Sequence, residues 1–375
     1  MSVERISLDS HFPDQPEIER VARALADGAL VAFPTETVYG LAASAEDPNA
    51  VERLQAVKGD RQAKPFTVHI GRSSDCEEFV PEIGPLGRRF IRKGWPGPLT
   101  LIFPVPDPRS ARAHRRLSPA GAAAIYAEQS VGIRYPDHPV AEALLNAAGV
   151  PIIATSANVS GAPAPTEPGV VAAALGDRVD VILEAGPTRY RKSSTVVALN
   201  GEGYRLVRAG VWDERTVLRL STVNILFVCT GNTCRSPIAE GVCKRMLAER
   251  FGCAVEELPR HGVLVGSAGT AGSSGGRVSP EAVEVCRKHD INISEHTSRG
   301  LTAEFLNPAD YIFAMARHHL DSIRSIAPAV AGKAILLDPA GDIPDPIGGG
   351  IEEYTAVAER ITRALEERLK NEVVI

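Results

Sequence analysis

The sequence predicts two α/β domains: a first with a mixed, twisted sheet over residues 1–212, and a second with a doubly wound parallel sheet over residues 222–375. Three observations predict this. At 375 residues the chain exceeds what one hydrophobic core usually supports. Five of its six cysteines (Cys229, Cys234, Cys243, Cys253 and Cys286, with only Cys76 before them) lie after residue 221. The alternation of apolar runs with helical patterns also begins afresh at VNILFVC.

In the first part ERISLDS reads as a strand and IERVARALADG as a helix stopped at Gly28, followed by one apolar strand, ALVAFPTETVYGLAA. Further strands are expected at FTVHI, LTLIFPV, SVGIRY, VPIIATS, DVILEAG and SSTVVAL, with helical segments such as VAEALLNAAG between some of them. In the second part the opening strand is followed by helices at AEGVCKRMLAERFG, PEAVEVCRKHD, ARHHLDSIRSIA and YTAVAERITRALEERLKN, and by strands at LVGSAG, YIFAM and AILLD. The join, VWDERTVLRLST, lacks the Gly/Ser or Pro content of a long tether.

Composition narrows the function classes. With 44% hydrophobic and 23% charged residues the chain is of ordinary globular type. No apolar run approaches the roughly 20 residues that cross a bilayer, and MSVER lacks the start of a signal peptide, so a cytoplasmic placement is expected. The net charge of -5 argues against a broad nucleic-acid surface while leaving room for a local basic cleft. The cysteines are too few and too irregular for a disulfide framework, there is no CxxC pair, and His318 and His319, being adjacent, diverge on a helix. No metal site is expected.

The chemistry of the second part concentrates in FVCTGNTCRSP. Cys229 ends a strand, and Ser236-Pro237 begins a helix, proline suiting the first turn. The residues between, Thr230 to Arg235, can wrap backbone N–H groups around an anion. Arg235 offers a planar fork to two phosphoryl oxygens. A thiol in such a place is a candidate nucleophile, because a helix start and a nearby cation favour the thiolate. Standing alone, a cysteine at a strand end is more often a small core residue; the loop and the arginine change that reading. Asn232 after Gly231 tolerates the left-handed backbone of a tight loop.

These residues resemble the low-molecular-weight protein phosphatases, whose signature is C-x5-R-S on a strand-loop-helix, over roughly residues 223–375. The resemblance implies that Cys229 is the nucleophile, Arg235 the phosphate clamp and Asp345, in the Asp345-Pro346 pair, the acid that protonates the leaving group. It implies that Ser236 hydrogen-bonds the thiolate and that Cys234 can trap an oxidised Cys229 as a disulfide. Tyrosine-directed members usually carry an aliphatic residue where Thr233 stands and aromatic residues after the Asp-Pro. Here Thr233 and Ile347-Gly348-Gly349-Gly350 resemble the protein-arginine phosphatase branch instead. Arsenate reductases on the same scaffold need two further cysteines downstream, and none follows Cys286.

In the first part PTETVYGLAA, KGDRQAKPFTVHI, WPGPLTLI, VGIRYPDHP, TSANVSGAPAPT, SSTVV and VRAG place small hydroxyl residues and cations at strand ends, the equipment of a cleft for an anionic ligand. In this order the blocks resemble the threonylcarbamoyl-AMP synthases, the YrdC-like family, over roughly residues 10–210. That implies synthesis of L-threonylcarbamoyladenylate from L-threonine, bicarbonate and ATP for tRNA modification, with Mg2+ accompanying ATP as substrate and no tightly bound cofactor. Thr37, His69, Arg134 and Ser194 would hold the threonine, and Lys58, Arg61, Lys64, Ser156, Asn158 and Arg208 the ATP. One departure is that Lys58-Gly59-Asp60-Arg61 has an acid where the family has arginine. Implied partners are phosphorylated proteins, the transferase proteins of tRNA modification and a tRNA or RNA contact, with no membrane. The alternative that this departure leaves open is a catalytically weak RNA- or nucleotide-binding first domain, joined to a protein-tyrosine phosphatase.

Overall fold

The computed structural model describes residues 3–59, 65–201, 203–371 and 373. The chain divides into two compact units, Met1–Leu220 and Ser221–Ile375. No helix among the described residues is long and apolar enough to cross a membrane.

The first unit is built on β1 (Glu4–Ser7), β2 (Val31–Phe33), β3 (Gly40–Ser44), β4 (Thr67–His69), β5 (Leu99–Pro104), β6 (Ser130–Arg134), β7 (Ile152–Ser156), β8 (Val181–Glu184), β9 (Thr195–Asn200) and β10 (Gly203–Arg208). They form one sheet in the order β1-β8-β2-β3-β7-β4-β6-β5-β9-β10. β1, β2 and β8 run parallel, as do β4 with β6 and β5 with β9, and the other pairs are antiparallel. The sheet is therefore mixed. The helix Gln15–Ala26 starts where Asp14 accepts the Glu17 N–H, with Pro16 in its first turn. Its spacing of Ile18, Val21, Ala22 and Leu25 makes one apolar stripe, which packs with Val140, Ala141 and Leu144 of the helix Pro139–Ala148 over one part of the sheet.

One sequence expectation is corrected here, and two elements are added. ALVAFPTETVYGLAA is two antiparallel strands, β2 and β3, and not one. Pro34 has no N–H to give a ladder, and the Thr35 hydroxyl accepts the N–H groups of Thr37 and Val38, turning the chain at the PTET segment. Within the join, Glu214–Ser221 is a helix, and β10 is a strand that the periodicity did not single out.

The second unit has β11 (Val223–Cys229), β12 (Val263–Gly269), β13 (Tyr311–Ala314) and β14 (Ala334–Leu336), all parallel, in the order β12-β11-β13-β14. The period of two along β11 sorts its side chains. Val223, Ile225, Phe227 and Cys229 join the core under the helices Arg235–Phe251 and Ile351–Asn371, with Ile238, Val242, Ile361 and Leu365. Leu226 and Val228 face the other way, into a core with Ile312, Ala314 and Ile323 of the helix Arg317–Ile326. Helices thus cover both faces, and the loop after β11 emerges at the carboxyl end of the sheet.

Candidate active sites

In the second unit Cys229 is the last residue of β11 and only 2% exposed. The helix Arg235–Phe251 begins six residues after Cys229, with Pro237 in its first turn. Asn232 holds the loop between them, with φ of 57° and no exposed surface. Its Nδ2 donates to Ser236 Oγ at 2.9 Å and to Ser267 Oγ at 2.8 Å, and its Oδ1 accepts the Arg299 N–H at 3.0 Å. The Ser267 hydroxyl donates a hydrogen bond to Glu240 Oε2 at 2.6 Å, and His296 Nε2 lies 3.2 Å from the Asn232 carbonyl. Because Ser236 Oγ already accepts from Asn232, its hydrogen is free to donate to Cys229 Sγ, 3.0 Å away. The Asn232 N–H reaches the same sulfur at 3.2 Å. Two donors converging on a buried sulfur are what an anionic sulfur requires.

Arg235 is buried, its Nη1 on the Ile343 carbonyl at 3.1 Å and its Nη2 on Thr230 Oγ1 at 3.3 Å and on the Asp345 carboxylate. The Asp345 side chain is 40% exposed, so its pair with Arg235 lies at the mouth of the loop. The Ile347 N–H donates to Asp345 Oδ1 at 3.3 Å, while the Ile347 side chain stands 70% exposed. Thr233 Oγ1 lies 3.6 Å from Cys234 Sγ. The Cys234 sulfur faces Tyr354 Oη at 3.2 Å and Ser279 Oγ at 3.3 Å, and it is a free thiol. Burial, with that sulfur's contact, pushes the Tyr354 phenol up to about 12.

Gly269 is the support behind the loop: a Cβ there would come within 2.6 Å of the Thr230 carbonyl and 2.9 Å of the Asn232 nitrogen. Sequence reasoning found Cys229, Thr230, Gly231, Asn232, Thr233, Cys234, Arg235, Ser236 and Asp345, which lie in or against this loop. It passed over Glu240, Ser267, Gly269, His296, Arg299 and His319. Their available signal was weak, since each is a common residue with no fixed spacing from the loop.

In the first unit, register sets the site. His69 of β4 stands opposite Arg134 of β6, Arg134 opposite Thr100 of β5, and Thr100 opposite Val196 of β9. Directly opposed residues share a face. Ser194, two before Val196, meets Thr100 with the two hydroxyls 3.0 Å apart. Arg134 Nη2 reaches Thr37 Oγ1 at 2.6 Å and Thr35 Oγ1 at 3.4 Å, and pairs with Glu36 at 2.9 Å, the two side chains being 7% and 1% exposed. Glu36 was not anticipated. Arg208 caps the Ser194 carbonyl with Nε at 3.1 Å and Nη2 at 2.9 Å. Burial and then the charge of Arg134 hold the Arg208 guanidinium below its usual range. The same two causes, in the same order, lower His69 to about 3, so its imidazole is neutral at physiological pH.

Lys58, Ser156 and Asn158 form a second knot: Lys58 Nζ donates to the Ser156 carbonyl at 2.8 Å and to Asn158 Oδ1 at 3.0 Å, and Ser156 Oγ to Asn158 Oδ1 at 2.5 Å. Thr37, His69, Arg134, Ser194 and Arg208 are thus brought into one neighbourhood. Arg61 and Lys64 lie outside the described residues. No group of three or more His, Cys, Asp or Glu among the described residues is arranged to hold a metal.

Comparison with known proteins gives the same division. Residues 23–210 match the Sua5/YciO/YrdC family model, described as telomere recombination, and residues 224–373 that of the low molecular weight phosphotyrosine protein phosphatases. A threonylcarbamoyl-AMP synthase of Bacillus subtilis is 39% identical over 203 residues, 54% of this chain and 56% of that protein. The crystal structure of Pyrococcus abyssi Sua5 complexed with L-threonine is 25% identical, with a TM-score of 0.51, over 70% of this chain and 92% of that one. A YwlE mutant from Bacillus subtilis is 34% identical over 40% of this chain and 100% of that one, with a TM-score of 0.35. The chain spans about half the length of the curated relatives it first matches. Through residues 23–210 the chain belongs to the Sua5/YciO/YrdC family, and over residues 224–373 it carries a low molecular weight phosphotyrosine protein phosphatase domain.

Proposed function

We propose that the chain is a bifunctional enzyme: an L-threonylcarbamoyladenylate synthase over residues 1–212 joined to a cysteine-dependent phosphatase over residues 222–375 that favours phosphoarginine. The single observation that carries the second activity is the convergence of Ser236 Oγ and the Asn232 N–H on Cys229 Sγ, at 3.0 and 3.2 Å, with Arg235 and Asp345 at the same loop. Cys229 attacks phosphorus in line while Arg235 and the loop N–H groups hold the three phosphoryl oxygens. The P–N or P–O bond breaks as Asp345 gives its proton to the leaving group. Water, losing a proton to Asp345, then releases phosphate and returns the thiolate. The preference for phosphoarginine rests on the Thr233 hydroxyl at the loop and on the lack of any aromatic ring in the segment Ile347 to Gly350. A guanidinium leaving group needs polar surroundings, a phenol ring apolar walls.

In the first unit the proposed threonine ligands Thr37, His69, Arg134 and Ser194 share one neighbourhood, and Arg134 would exchange Glu36 for the amino-acid carboxylate. The carbamate formed from threonine and bicarbonate attacks the ATP α-phosphate, and pyrophosphate leaves. Gathering anionic reactants and neutralising them is what the residues supply. The proposed ATP ligands are Lys58, Ser156, Asn158 and Arg208, with Arg61 and Lys64. The proposed partners are the transferase proteins of tRNA modification, tRNA, and phosphorylated proteins, in the cytoplasm. The test is pyrophosphate release that requires both threonine and bicarbonate, together with faster cleavage of phosphoarginine than of phosphotyrosine peptides. Pyrophosphate release indifferent to threonine contradicts the first assignment, and a preference for phosphotyrosine contradicts the second.

A further inference from the structure

Leu226 and Val228 point to the side of the sheet covered by the helix Arg317–Ile326, and Thr230 continues that series one step past the strand. Its hydroxyl therefore meets the first turn of that helix, where His319 is wholly buried, and His319 Nε2 lies 3.0 Å from Thr230 Oγ1. The same oxygen receives Arg235 Nη2 at 3.3 Å. A threonine hydroxyl has two lone pairs and one hydrogen. Arginine can only donate, so it takes one lone pair. What the histidine does depends on its tautomer.

Burial first, then His318 and Arg235, lower the His319 imidazole to about 3, so it is neutral in the working pH range. Its Nδ1 is buried and has no hydrogen-bond partner among the described residues. An orphaned buried N–H is rarer in proteins than an under-satisfied acceptor. The proton therefore sits on Nε2, where it has a partner, and the lone pair on Nδ1. His319 then donates to Thr230, both lone pairs of that oxygen are taken, and the hydroxyl hydrogen turns away from both donors.

We propose that His319 is a positioning residue which, with Arg235, fixes the Thr230 hydroxyl as a donor to an anion seated in the phosphate loop. The proposal rests on the phosphatase reading of Cys229 to Arg235. Its ligand is the phosphoryl group of the substrate, and inorganic phosphate is the probe.

Two measurements on the full chain test it. In a 15N-histidine-labelled sample the His319 ring should show its proton on Nε2; a proton on Nδ1 overturns the proposal whatever the activity. In kinetics, loss of one such hydrogen bond predicts roughly ten- to a hundredfold lower kcat/KM, and weaker inhibition by inorganic phosphate, in both His319→Leu and Thr230→Val. The double variant should lose little more than either single one, because the two residues act through one bond. His319→Gln, whose amide places a donor near the position of Nε2, should recover most of the loss. If His319→Leu lowers only the melting temperature and leaves phosphate inhibition intact, or if the losses add fully, the proposal fails. If Cys229→Ser retains phosphatase turnover, the underlying reading fails instead, and the labelled-histidine result stands apart from that outcome.

Discussion

The two proposed sites are assembled in different ways. The second gathers its proposed nucleophile, its proposed anion-binding N–H groups and its cation within Cys229 to Arg235, so a few adjacent residues on a strand-loop-helix define the site. The first draws Thr37, His69, Arg134, Ser194 and Arg208 from five separate segments, aligned only when β4, β6, β5 and β9 pair. A contiguous loop depends on its own backbone and on the supports behind it. A dispersed site depends on the integrity of a whole sheet. Mutations should therefore damage chemistry in the second unit and stability in the first.

The largest effect expected is at the clamp. Arg235→Lys keeps the charge but loses the planar fork, and two charge-assisted hydrogen bonds lost in the transition state amount to about a thousandfold in kcat/KM, with little change in melting temperature. Steady-state kinetics beside calorimetry would show the split; a comparable fall in stability breaks the contrast.

Arg134→Met makes the converse case. It leaves Glu36, 1% exposed, as a buried carboxylate without its cation, which costs about 3–5 kcal/mol. The first unit should unfold earlier in denaturant while phosphatase activity is retained. Adding Glu36→Gln should restore much of the stability, and failure to do so would show that the Arg134–Glu36 pair is not what makes the first unit vulnerable.

Specificity should respond less. Thr233→Ile exchanges a hydroxyl for an apolar wall, and the ratio of kcat/KM for phosphoarginine over phosphotyrosine peptides should fall roughly ten- to a hundredfold. An unchanged ratio removes the role given to Thr233.

Acid stability should show the broadest effect. His69 and His319 are lowered to about 3 and His138 to about 4, each chiefly by burial, from an ordinary value of 6.5. As pH falls below about 6.5 the unfolded chain takes up protons on these residues while the folded chain does not, so stability drops through the window from about 6.5 to 3. Above it, these three residues add no pH dependence. In His69→Gln the first unit's acid transition should move to lower pH; a transition that stays in place breaks the link.

What was legible in the sequence follows the same contrast. FVCTGNTCRSP declared its loop because strand end, turn and helix start are local, and the left-handed Asn232 was foreseeable from its place after Gly231. His319, His296 and Ser267 were not foreseeable, because the sheet brings them to the loop from 35 to 89 residues away. In the first unit most of the elements were readable but their order was not: β1 lies beside β8, and β5 beside β9, through long-range pairing that periodicity does not encode. The break at Pro34 was missed because an apolar run on both sides of PTET outweighed one proline. Glu36 did leave a signal, since a carboxylate between two threonines in so apolar a run must be paired if it is buried.

The central claim, that one chain carries two chemistries of which the second belongs to a single loop, is tested most directly in Cys229→Ser by following phosphate release from phosphoarginine peptide and threonine-dependent pyrophosphate release in the same preparation. The account predicts that phosphate release vanishes and that pyrophosphate release continues at the rate of the unmodified chain. Persisting phosphate release, or pyrophosphate release that is lost with the thiol, would contradict it.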